Sequence, residues 1–139
     1  MIESDPRVRA IMDDEVLIAQ IYDLSQPGPV SFPTPETAEM QCGFGEIGKA
    51  KTVPAHIHNV VHRAISNTSE FILVLEGSME VVFLNQSGKK LETLQLGALE
   101  CFLQFAGGHQ IDFAAGTRYI ELKQGPYLGH YKDKTLLPG

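Results

Sequence analysis

Turn-forming residues fall every eight to twelve positions from Glu70 to Lys123, and the runs between them are too short for helices. Phe71–Leu75 is FILVL, Met79–Leu84 is MEVVFL, and Leu91–Leu96 alternates apolar and polar residues. Gly77, the Asn85–Lys90 loop NQSGKK, Gly97, Gly107–Gly108 and Gly116 separate these runs. Such spacing predicts eight or nine short strands in a sandwich or barrel. No stretch fits a helical crossover, so a strand–helix alternation is excluded.

Upstream the pattern is looser. Ser4 or Asp5 can cap a short helix within residues 1–14, with Pro6 in its first turn. Val16–Tyr22 reads as a strand, because Val, Ile and Tyr dominate it. Gln26–Glu36 holds four prolines and excludes regular structure. Residues 39–47 read as a strand broken by glycines, where Gly43, Gly45 and Gly48 mark bulges or close approaches. Thr52–His58 reads as the next strand, and Val60–Ile65 continues extended. The resulting division is an N-terminal arm over 1–36, a barrel over 37–123 and a tail over 124–139 of the same domain.

The 139 residues suffice for one domain with a real core. The formal charge of −6, without a basic stripe, argues against a general nucleic-acid partner. No run reaches the ~20 apolar residues that cross a bilayer. The N-terminus carries acids and a proline where a signal peptide needs an apolar core, so a soluble cytoplasmic protein is expected. Cys42 and Cys101 lie in apolar contexts without metal-knuckle spacing, as buried free thiols would.

The chemistry concentrates in the histidines. His56 and His58, two apart, leave one face of a strand together. Imidazoles with one carboxylate suit divalent Fe, Mn, Ni or Zn. Glu70, at the mouth of FILVL, is a ligand, an acid or base, or an ion-pair partner of Arg63. His109 follows two glycines where the backbone can bend sharply and aim it inward. Asp112 is near His109, but alternation puts it on the opposite face.

These elements resemble the cupin superfamily. Its first motif is similar to His56–Ile57–His58, then Glu70 with six residues before Gly77. Its second is similar to Gly97 followed by the bend Phe105–His109, here without the usual proline. The resemblance covers roughly 40–123 and implies an all-β, cupin-like double-stranded β-helix (a jelly-roll barrel). It further implies a divalent metal held by His56, His58, Glu70 and His109. The chain departs from the family between His58 and Glu70, where eleven residues stand in place of a few. His62 competes with Glu70 for the last ligand place, although a straight strand would put it about 13 Å from His58.

The function expected from this pattern is metal-dependent chemistry on a small polar metabolite, such as a sugar or sugar nucleotide. Isomerase, epimerase and oxygenase remain equal options, with Glu70 or His62 moving the proton. The alternative is a non-catalytic small-ligand binding or sensor domain. Small cupins resemble one another in forming homodimers, and the Pro-rich stretch 26–36 and the tail are candidate clasps.

Overall fold

The computed structural model describes residues 4–138. Eight strands form: β1 Val8–Asp13, β2 Val16–Asp23, β3 Glu70–Glu76, β4 Ser78–Leu84, β5 Lys90–Gly97, β6 Glu100–Gln104, β7 Gly108–Phe113 and β8 Arg118–Lys123. A single helical turn, α1 His130–Asp133, lies in the tail. All strand pairs are antiparallel, in a five-stranded sheet ordered β1-β2-β6-β3-β8 and a three-stranded sheet ordered β5-β4-β7. The two sheets pack as a sandwich and do not close into a barrel.

The core follows from strand alternation. Ile72 and Val74 of β3, Phe102 of β6, and Met79, Val81 and Phe83 of β4 point between the sheets and are buried. Each such side chain contributes about 1.5–3 kcal/mol by leaving water. FILVL and ECFLQ are apolar at consecutive positions because their sheet is covered on both faces. Its outer face carries Tyr22, Cys101 and Leu103, packed against Phe44, Met40 and Cys42. Both cysteines are free thiols, Cys101 buried and Cys42 half-buried.

Residues 40–44 cover that outer face, and the Pro-rich segment 26–36 lies beside them, bound to its own chain. Pro33 O accepts from Gln20 Nε2 at 3.0 Å, and Pro29 O accepts from Arg7 Nη2 at 2.7 Å. Ser31 and Phe44 form an isolated bridge, and Glu46 N donates to Gly28 O at 2.8 Å.

The strands differ from the sequence expectations in four places. Residues 8–13 form β1 rather than a helix. Asp5 caps nothing helical; its carboxylate accepts from Arg7 N at 3.0 Å and from Arg7 Nε at 2.9 Å. Residues 8–23, within the segment expected to be an arm, thus supply two strands of the larger sheet. Residues 39–47 contribute only the bridge at Phe44. There Gly45, at φ 149°, lies against the Pro29–Val30 backbone, where an added Cβ would stand 2.4 Å from Val30 Cα. Thr52–His58 forms no strand, because no neighbouring backbone lies beside it to complete a ladder. The whole run 45–68 is exposed.

One side of the sandwich is better fastened than the other. Arg9 of β1 pairs with Glu92 of β5 across the first seam. Across the opposite seam, between β7 and β8, Phe113 stacks on Tyr119 with centroids 4.5 Å apart. Both rings point inward yet stay 40% and 45% exposed, because no described residue covers that side. Among the described residues no helix is long and apolar enough to cross a membrane.

Candidate functional site

Glu70 is the first residue of β3 and His109 the second of β7, so the site bridges the two sheets at one end of the sandwich. β3 alternation turns Glu70 to the same side as buried Ile72 and Val74. His109 is delivered by a tight bend. Gly107, at φ 70°, passes Leu84 O so closely that an added Cβ would sit 2.2 Å away. Only glycine tolerates both the dihedral and the contact.

His109 Nε2 lies 3.6 Å from Glu70 Oε2. That is too long for a hydrogen bond. Two ligands of one divalent ion, each about 2.0–2.2 Å from it, stand about 3–3.5 Å apart. At 3.6 Å the two atoms stand slightly beyond that spacing.

Gln104, the last residue of β6, sets the imidazole's orientation. Its Nε2 donates to Ala106 O at 2.9 Å, which turns its Oε1 toward His109 Nδ1. An acceptor at Nδ1 calls for the Nδ1–H tautomer, and Nε2 then presents its lone pair toward Glu70. Metal-binding histidines are commonly held by such a second hydrogen bond. Phe102 meets the same ring edge-on, with centroids 5.8 Å apart.

Burial decides the charge states. It raises the Glu70 carboxyl to about 7, helped by the neighbouring Glu121 carboxyl and opposed by Lys123 and Lys134. It lowers His109, with Lys134 acting in the same direction. The pair is thus two groups driven toward neutrality, not an ion pair. Around it, Lys123 sits opposite Glu70 in the β3–β8 register and donates to Asp133 Oδ2 at 3.1 Å. This contact lowers the Asp133 carboxyl and raises the Lys123 ammonium.

Of the residues singled out from sequence, Glu70 and His109 are brought together. His56, His58 and His62 are not; all three lie in the exposed run 45–68. The rings of His56 and His58 meet edge-on with centroids 5.1 Å apart, and His56 Nδ1 contacts Pro54 O at 2.8 Å. Arg63, a candidate partner of Glu70, is exposed and forms no ion pair among the described residues. Asp112 is exposed and accepts from Gln110, on the face away from His109. Among the described residues, no three His, Cys, Asp or Glu side chains converge as a metal-holding group.

Sequence reasoning missed Gln104 and Asp133. A glutamine inside the apolar run ECFLQ was the available signal, since a buried amide demands partners; Gln104 is 4% exposed. Asp133 gave none, coming from an irregular tail. A separate hollow lined by Leu17, Pro35, Glu39, Asn67 and Phe105 includes one titratable side chain and lies apart from His109.

Comparison with protein-family models, with curated proteins and with solved structures finds no match to this chain.

Proposed function

We propose that the chain is a cupin-like, metal-binding cytoplasmic protein that acts as an enzyme on a small polar metabolite such as a sugar or sugar nucleotide. The observation that carries this reading is the Glu70–His109 pair, with the His109 tautomer set by Gln104 and a 3.6 Å gap between donor atoms. The donor set fits divalent Fe, Mn, Ni or Zn. His109 and Glu70 would hold the ion together with His56 and His58, and His62 competes with Glu70 for the remaining place.

When bound, the ion would polarise a carbonyl or enediol oxygen as a Lewis acid. The chain's own groups do the rest. Where His62 takes the ligand place, Glu70 is left to take up or release a proton, its carboxyl raised by burial to about 7, as an isomerase or epimerase requires. Where Glu70 holds the ion, His62 is the proton carrier. Phe113 and Tyr119, on the open seam, offer stacking surface to a sugar or base. The acidic charge disfavours nucleic acid, and the reading includes neither a nucleic-acid nor a membrane partner.

Metal analysis of protein purified without added metal tests the reading. About one equivalent of a first-row metal, lost in His109→Ala, supports it. No metal after reconstitution with any of the four ions removes it. The second reading is a small-ligand binding or sensor domain, favoured by the fact that only two of the candidate ligands converge. Ligand binding without turnover of keto-sugars or oxygen consumption, in metal-replete protein, selects it.

A further inference from the structure

The tail crosses the end of the sandwich at which Glu70 and His109 meet. It leaves β8 at Lys123, which faces Glu70 in the β3–β8 register, and Gln124 N donates to Ser69 O at 2.9 Å. At its far end Leu137 lies on the β4–β5 loop, where a Cβ added to Gly88 would stand 3.2 Å from Leu137 Cδ1. That loop follows Leu84, which pairs with Gly108 just before His109, and its Gln86 Oε1 accepts from Gly107 N at 3.3 Å. The tail thus starts beside Glu70 on the larger sheet and ends beside the bend that delivers His109 on the smaller one.

Its fastenings between those ends are few. Among the described residues, the one hydrogen-bonded tie of 125–138 to the sandwich is Asp133, which accepts from Lys123 Nζ at 3.1 Å. Lys134 Nζ lies 3.6 Å from the same carboxylate oxygen, and the Tyr127 ring adds a longer contact, its centroid 5.7 Å from Lys123 Nζ. Asp133 is the side chain that α1 turns inward, at 11% exposure, while Tyr131 of the same turn is 95% exposed. Leu128 and Leu136 are exposed as well, so the tail gains little from burial. The strands beneath are held differently, with β3 laddered on both sides by β6 and β8. A segment with few buried contacts opens at a much lower free energy than such strands. Lys134 also reaches the pair electrostatically: beside burial, its charge acts on both Glu70 and His109.

We infer that residues 125–138 are a lid over the Glu70–His109 site, closed in this structure, and that the Asp133–Lys123 contact is its latch. Closed, the tail lies between the pair and solvent at that end of the sandwich. Open, it pivots after Gln124, whose bond to Ser69 stays, and leaves the pair within reach of a small molecule. Leu137 on Gly88 is the second, apolar catch. A lid of this kind keeps water from a reacting centre and lets ligand enter when it lifts. That purpose rests on the proposed function; the opening of the tail does not. The competing role is a fixed staple between the two sheets, which would open only when the strands do.

Two measurements on the chelator-treated full-length chain test the lid without metal or substrate. In the first, diethyl pyrocarbonate is the probe, and its reaction with each histidine is followed by mass spectrometry. The His109 rate should rise about fivefold in Asp133→Asn, the worth of one partly exposed ion pair. Leu137→Ser, which alters no charge, should raise it too, and the double variant should raise it further. His56 and His58, in the exposed run, should react at wild-type rates throughout. An unchanged His109 rate in all three variants overturns the lid. A rise matched by faster amide exchange in β3 and β6 also overturns it, since the tail is then a staple. In the second, native wild type is treated with trypsin. Cuts after Lys132 and Lys134 should come at least about a hundredfold faster than cuts within the strands, because local opening suffices. Tail cuts no faster than strand cuts overturn the lid. Absence of metal from untreated protein removes the metal reading and leaves every one of these rates as expected.

Discussion

The sandwich and the arm 47–68 are built from similar residues and end in opposite states. FILVL in β3 and the Val60–Val61 stretch of the arm both carry β-branched residues. Ile72 and Val74 are buried at 1% and 0% exposure, while Val60 is fully exposed. β3 has β6 and β8 on its two sides; the arm has no strand on either. Strand propensity alone therefore fixes little; a strand is stable when a ladder and a packed face are both available. The comparison also bears on function, since Glu70 and His109 belong to the paired strands and His56, His58 and His62 to the exposed arm.

The largest expected effect lies in the core. Phe102 is fully buried and meets Phe83 edge-on at 5.3 Å. Phe102→Ala removes that packing, leaves a cavity and should cost about 3–5 kcal/mol in urea unfolding. The same variant also removes the ring that meets His109 edge-on. A loss under ~1 kcal/mol would mean that the sandwich is packed as loosely as the arm.

Gly107→Ala comes next, at about 2–4 kcal/mol, because the positive φ and the Leu84 carbonyl oppose any side chain. This bend exemplifies what was legible in the sequence. Gly107–Gly108 before a histidine announces a sharp turn, and the turn spacing from Glu70 onward announces the strands. The motif resemblance singled out Glu70 and His109. The rest stayed hidden. The strand at 8–13 was masked by Asp5 and Pro6, which imitate a helix start; a turn closed by Arg7 uses the same residues. The fate of 52–65 was hidden because its alternation is genuinely strand-like, and whether a strand forms depends on a neighbour that the local sequence does not name. Gln104 and Asp133 were unreadable for a similar reason: their roles arise from contacts across the fold, with His109 and with Lys123.

Glu70→Gln should sharpen the boundary of the paired strands through pH. In chelator-treated protein, folded Glu70 holds its proton to about pH 7, whereas the unfolded chain releases it near its ordinary value of 4.5. The folded state then binds more protons across that window, so wild-type stability falls as pH rises through it and levels off above. Glutamine has no proton to lose. The variant should match wild type near pH 4 and exceed it by about 1–3 kcal/mol above pH 7. Parallel pH curves would show that the Glu70 carboxylate is ionised and solvated in the fold.

The smallest effect is expected in the arm, and its dependence on concentration is what matters. Successive N–H groups of a strand alternate in direction, so of Ile57→Pro and Val60→Pro one must strike any ladder the arm forms. In dilute protein both backbones are unpaired, and each change should shift unfolding by no more than about 0.5 kcal/mol. If the arm pairs with a second copy, assembly adds stability by mass action. Wild-type midpoints should then rise with protein concentration, and one of the two proline variants should lose that rise while keeping the dilute midpoint. Equal loss in dilute protein would instead place the arm on its own sandwich, since a contact within one chain cannot be diluted away.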